Sequence, residues 1–129
     1  MEDNLKQDKI TSFTQLRTWQ KAKDLVVLVY EVTKKFPKEE IFGLTSQIRR
    51  SAISVPSNIA EGFSRAGIND KRHFYAMSLG SLTETLNHMY IAKELAYCTE
   101  EDVANTENEI TDLSKMINGM IKSARGKDT

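Results

Sequence analysis

The chain has 129 residues, 40% of them hydrophobic and 28% charged, with 18 basic side chains against 18 acidic ones. That is the composition of one folded domain rather than of a disordered or collagen-like chain, and a net charge of zero names no partner by itself. With only 6 glycines and 2 prolines, the sequence lacks the turn-formers of a many-stranded β fold and has room for long helices.

Residues 1–12 are polar and charged and read as a flexible leader, with the folded domain expected over 13–125. A first helix is predicted from Leu16 to Lys35. Leu16, Trp19, Ala22, Val26, Val29 and Phe36 recur at helical spacing, and Leu25, Leu28 and Val32 add a second stripe beside them. So wide an apolar face needs cover on two sides, and in a small domain a second subunit can supply one of them. Phe36-Pro37 ends this helix, because proline disfavours helical geometry in the residue before it.

A second helix is predicted over Leu44–Arg65, with the stripe Leu44, Ile48, Ala52, Val55, Ile59 and Phe63. Pro56 lies inside it and removes one backbone donor, so a kink is expected there. Small residues gather around it, among them Ser51, Ser54, Ser57, Ala60 and Gly62. Gly67 is read as a stop and Asn69 or Asp70 as the next start. The third helix, Asp70–Ala96, is assigned a face of Phe74, Met77, Leu82, Leu86, Met89 and Ala96, with Gly80-Ser81 taken as a point of close packing. Thr99 and Asp102 resemble a capping box. The fourth helix then carries Val103, Thr106, Ile110, Leu113, Ile117, Met120 and Ala124 in a strict three-four rhythm. The expected fold is all-α, an antiparallel up-down-up-down four-helix bundle.

Charge is unevenly spread. Residues 1–75 hold 13 Lys and Arg against 9 Asp and Glu, whereas 76–129 hold 5 against 9. Cys98, the single cysteine, cannot form an intrachain disulfide. The longest apolar run, Leu25–Tyr30, is too short to span a bilayer. A soluble cytoplasmic protein is the expectation, with no membrane role.

No catalytic apparatus is legible. His73 and His88 stand fifteen residues apart, about 22 Å along one helix, and cannot share an ion within a chain. They are read as surface or boundary residues. Glycines fall at 43, 62, 67, 80, 119 and 126, in no phosphate-cradling pattern. No metal, cofactor or catalytic residue is expected, and the chain is read as non-enzymatic. Pro56, Asn58, Glu61 and Gly62 form the most unusual local motif. Asn58 and Glu61 share a helical face, and they are read as structural, satisfying each other and the backbone opened by the proline. Arg49, Arg50, Arg65, Lys71 and Arg72 form a basic stripe able to follow a phosphate backbone, and they are the candidate nucleic-acid contacts.

The run Phe13-x-x-Leu16-x-x-Trp19-x-x-Ala22, then Phe36-Pro37, then Gly43-Leu44-Thr45-Ser46-Gln47-Ile48-Arg49-Arg50-Ser51-Ala52 resembles the family of 23S rRNA intervening-sequence proteins, also called the four-helix-bundle or S23 family. Ser54-Val55-Pro56-Ser57-Asn58-Ile59-Ala60-Glu61-Gly62 is similar to that family's most distinctive segment, and Leu79-Gly80-Ser81-Leu82-Thr83-Glu84 to its third-helix motif. The resemblance implies a bacterial four-helix bundle assembling as a ring-shaped homopentamer. Together these readings give a non-enzymatic oligomeric bundle associating with structured RNA, rRNA or DNA. The alternative is a scaffold that docks another protein, such as a polymerase or nuclease.

Overall fold

A computed structural model describes residues 9–126; the expected leader lies outside the described residues up to Asp8. The described residues form four α-helices: α1 Arg17–Thr33, α2 Leu44–Ser64, α3 Ile68–Glu94 and α4 Glu100–Gly126. Two single turns of 3-10 helix, Phe13–Gln15 and Lys38–Glu40, stand before α1 and α2. The fold is an all-α bundle. Each helix packs on its sequence neighbours, and α1 closes the arrangement against α4. No helix among the described residues is long and apolar enough to cross a membrane.

The core is one continuous cluster. α1 contributes Ala22, Leu25, Val29 and Val32, α2 contributes Ile48, Ala52, Val55 and Ile59, and α4 contributes Val103, Ile110, Leu113 and Ile117. The stripes expected on α2 and α4 are the ones that turn inward. On α1 the two stripes share the core, and Val26 and Leu28 are half-buried at its margin.

α3 departs from its expected face. Its buried residues are Tyr75, Ser78, Leu82, Thr85, His88, Met89 and Ala92, while Met77 and Ala96 are exposed. The reason is a polar seam between α2 and α3. Ser78 Oγ donates to the Val55 carbonyl at 2.8 Å, and Thr85 Oγ1 donates to Ser51 Oγ at 2.9 Å. Buried hydroxyls are tolerated when bonded, and their small size lets the two helices approach closely. His88, expected at the surface or boundary, is buried beside this seam with Nε2 3.3 Å from Glu84 Oε2.

The glycine roles also shift. Gly67 is the N-cap of α3, which begins at Ile68, rather than a stop. A Cβ on Gly80 would meet nothing within 4 Å, so Gly80 is not a packing glycine. Gly62 is one: a Cβ there would lie 2.6 Å from Tyr75 Cε1 and 3.2 Å from Phe74 Cβ. α3 ends without glycine. Ala96 takes φ 63°, with the Ala96 N–H donating to Lys93 O and the Tyr97 N–H to Ala92 O, the bond pattern of a Schellman cap. α4 opens on the expected capping box, in which the Thr99 N–H donates to Asp102 Oδ2 and the Asp102 N–H to Thr99 Oγ1, both at 3.0 Å.

Candidate nucleic-acid interface

The five basic residues singled out from the sequence occupy two separate places. Arg49 and Arg50 lie in the first half of α2, and Arg65 follows its last turn. Fifteen residues of helix separate Arg50 from Arg65, about 22 Å. Arg65 and Lys71 come together at the α2–α3 junction and Arg72 lies near the start of α3, whereas Arg49 and Arg50 belong to the groove between α1 and α2. The stripe is two clusters, not one band.

Their chemistry differs as well. Arg49 is half-buried and held by the fold: its Nε donates to Thr33 Oγ1 at 2.8 Å, and its guanidinium lies 4.3 Å from the Tyr30 ring centroid. Guanidinium groups favour such stacking because the ring face is electron-rich. Arg50 is exposed and makes no ion pair among the described residues. Lys71 Nζ donates to the carbonyls of Phe63 at 2.9 Å and Gly62 at 3.3 Å. It thereby neutralises the negative end of α2, where the last carbonyls have no helical donor. Arg65 pairs with Glu61 at 2.9 Å and covers the Phe74 ring at 4.8 Å. Arg72 is half-buried, with its Nε shielded from water and lacking a hydrogen-bond partner.

The proline motif resolves into separate duties. α2 runs through Pro56 without a break. The Asn58 side-chain amide donates to the Ser54 carbonyl at 2.9 Å, and Glu61 turns to Arg65. Each polar residue thus has its own partner, in place of the mutual pairing expected. Gly62 supplies the close approach to α3. Other lysines of the basic half are drawn to acids: Lys34 to Glu31 at 3.2 Å, Lys35 to Asp102 and Lys21 to Glu109, both at 3.1 Å. Burial opposes the Asp102 charge, but the Thr99 N–H, Lys35 and the Thr99 hydroxyl outweigh it and hold that carboxyl below its ordinary value. Glu40 accepts from the Leu44 N–H and the Tyr97 hydroxyl, which likewise lower its pKa.

A family model described as 23S rRNA-intervening sequence protein matches residues 14–119. The chain belongs to that family. Among solved structures, it is similar to a protein of unknown function from the S23 ribosomal protein family of Bacteroides thetaiotaomicron. The two share 23% identity over 81% of this chain and 98% of that one, with a TM-score of 0.74. At that identity the likeness speaks for the fold. No curated protein matches the chain.

One feature that the sequence reading passed over is Phe42. It is 95% exposed in the connection before α2. Its signal was available as an aromatic residue directly after Ile41, following the charged run Lys38-Glu39-Glu40.

Proposed function

We propose that this member of the 23S rRNA-intervening sequence family is a non-enzymatic, self-assembling bundle that binds the phosphate backbone of structured RNA or DNA at its α2–α3 junction. One observation carries the reading. Arg65 and Lys71 converge on the end of α2, with Arg72 near the start of α3, and the ion pair of Arg65 with Glu61 is exposed and weak. A polyphosphate displaces such a partner readily, because each neutralised phosphate also releases counterions. Arg72 adds a guanidinium with no ion pair among the described residues. Arg49 and Lys71 serve the fold first, so the phosphate-contacting pair is Arg65 and Arg72, with Lys71 fixing the junction that presents them.

Contacts of this kind position a polyanion without reading its sequence. Fluorescence anisotropy with a labelled rRNA fragment, repeated across a salt series, tests the idea. Arg65→Ala and Arg72→Ala are each expected to weaken binding uniformly across sequences and to flatten the log K against log[salt] slope by about 1. Binding that is absent at low ionic strength, or a slope unmoved by both substitutions, overturns it. A protein-docking role is the second reading, and the bare Phe42 side chain is the observation that favours it.

A further inference from the structure

Two unlike patches sit at the same end of the bundle, where Tyr97 stacks on Phe36 at 5.6 Å and donates to Glu40. The first is the α1–α2 groove. Tyr30, Ile41 and Ile53 line it with Arg49 and Arg50, and no acid is among its lining residues. Phe42 adjoins it in the chain. Neither the Tyr30 ring nor the Thr33 hydroxyl cancels the Arg49 charge, and Arg50 is exposed with no ion pair among the described residues, so this greasy surface is also positive.

The second patch is the elbow between α3 and α4. Tyr90 with Glu94, and Ile91 with Leu95, stand one turn apart in two adjacent rows where α3 ends at its cap residue Leu95. All four are exposed, Leu95 by half its surface. Glu100, Glu101 and Asp102 follow at the start of α4, with Lys93 3.7 Å from Glu100 and Lys35 3.1 Å from Asp102, so acids outnumber bases there. This greasy surface is negative.

We infer that the α1–α2 groove of one copy receives the α3–α4 elbow of a second copy. The inference rests on the self-assembly half of the function proposed above and names the surfaces that mate. Each patch offers what the other lacks: apolar side chains meet apolar side chains, and the arginines meet glutamates. Complementary charge of this kind fixes register and rejects the like-with-like pairing of groove on groove. A contact between unlike patches is heterologous and leaves one groove and one elbow free, so it propagates into a closed ring or an open chain. A foreign acidic amphipathic segment would meet the same groove, but the complement is already present on the chain itself.

Light scattering coupled to size exclusion, on the full chain without nucleic acid, tests the pairing. The wild type is expected to run as a multiple of its 14.7 kDa chain mass. Arg50→Glu and Glu94→Arg are each expected to fall to the single-chain mass with an unchanged helical signal, since both side chains are exposed. Mixing the two variants, or combining both changes in one chain, restores the large species. If the wild type itself runs as a single chain, the assembly reading and this inference fall together. If the wild type assembles and both variants keep its mass, this inference alone falls. It falls equally if both variants dissociate and neither the mixture nor the double variant reassociates.

Discussion

Replacing Gly62 with alanine probes a close approach of α2 to α3. In a helix interior the change ordinarily stabilises by about 1 kcal/mol, because alanine loses less backbone freedom on folding. Here the new methyl would stand 2.6 Å and 2.9 Å from two ring carbons of Tyr75. Carbon atoms rest at about 3.5–4 Å, so something must move by about 1 Å. Tyr75 is buried, and the third neighbour, Phe74 Cβ, is tied to the α3 backbone. Relief therefore requires α2 and α3 to part, against the Ser78–Val55 and Thr85–Ser51 hydrogen bonds. Overpacking of this kind costs about 1–3 kcal/mol, and with two sub-contact distances the upper half of that range applies. The expected net loss is about 1–2 kcal/mol. Urea unfolding followed by circular dichroism at one fixed protein concentration reads it as a lowered midpoint at constant slope. Gly80→Ala and Gly119→Ala are the controls, since nothing lies within 4 Å of either added Cβ, and each is expected to raise stability by about 1 kcal/mol. A Gly62→Ala midpoint equal to or above wild type would refute the close-approach argument.

Ala96→Gly removes the left-handed strain at the end of α3, and a gain of about 0.5–1 kcal/mol is expected by the same unfolding assay once the added freedom of the unfolded chain is deducted. Thr99→Ala opens the capping box of α4 and is expected to cost about 1 kcal/mol. The depressed Asp102 pKa makes that carboxylate a source of stability above its unfolded value near pH 4. Its contribution is lost as pH falls through the lower folded value, so the stability gap between wild type and Asp102→Asn should close on acidification below about pH 4. A gap that stays constant with pH would show the carboxylate charge to be irrelevant.

The fold was readable wherever burial and hydrophobicity coincide. α4 is the clearest case: Val103, Ile110, Leu113 and Ile117 are buried as their rhythm requires, and Thr106 fits among them by donating to the Asp102 carbonyl at 2.9 Å. α3 misled because its inward face is built from Ser78, Thr85 and His88, which a hydropathy pattern assigns to solvent. Those hydroxyls are buried only because α2 presents acceptors at the right height, a fact of tertiary register that periodicity does not carry. Glycine identity was equally mute about location, since Gly80 faces open space and Gly62 a tyrosine ring. For the candidate site, the positions of the cations along the helices were legible, but not their partners. The capping duty of Lys71 depends on where α2 ends, and the bond from Arg49 to Thr33 crosses between helices.

Zero net charge gives a chain no overall attraction to a polyanion, yet here the cancellation is uneven in space. Lysines on and just after α1 offset part of the acidity of α4, through Lys21 with Glu109 and Lys35 with Asp102. What remains is therefore not a diluted version of the net charge. It is a positive α2–α3 junction, a positive α1–α2 groove and a negative elbow on one small body. Screening at physiological salt limits each charge to about 8 Å, so poles separated by about 22 Å along α2 act independently. The junction responds to its own arginines rather than to the chain's sum of zero. The groove and elbow, if mated, consume each other's charge and leave the junctions as the exposed poles of the assembly. On the proposed assembly, a repeated array of them would bind a long polyanion more tightly than any single junction, because each further contact would be made at the high effective concentration set by the first.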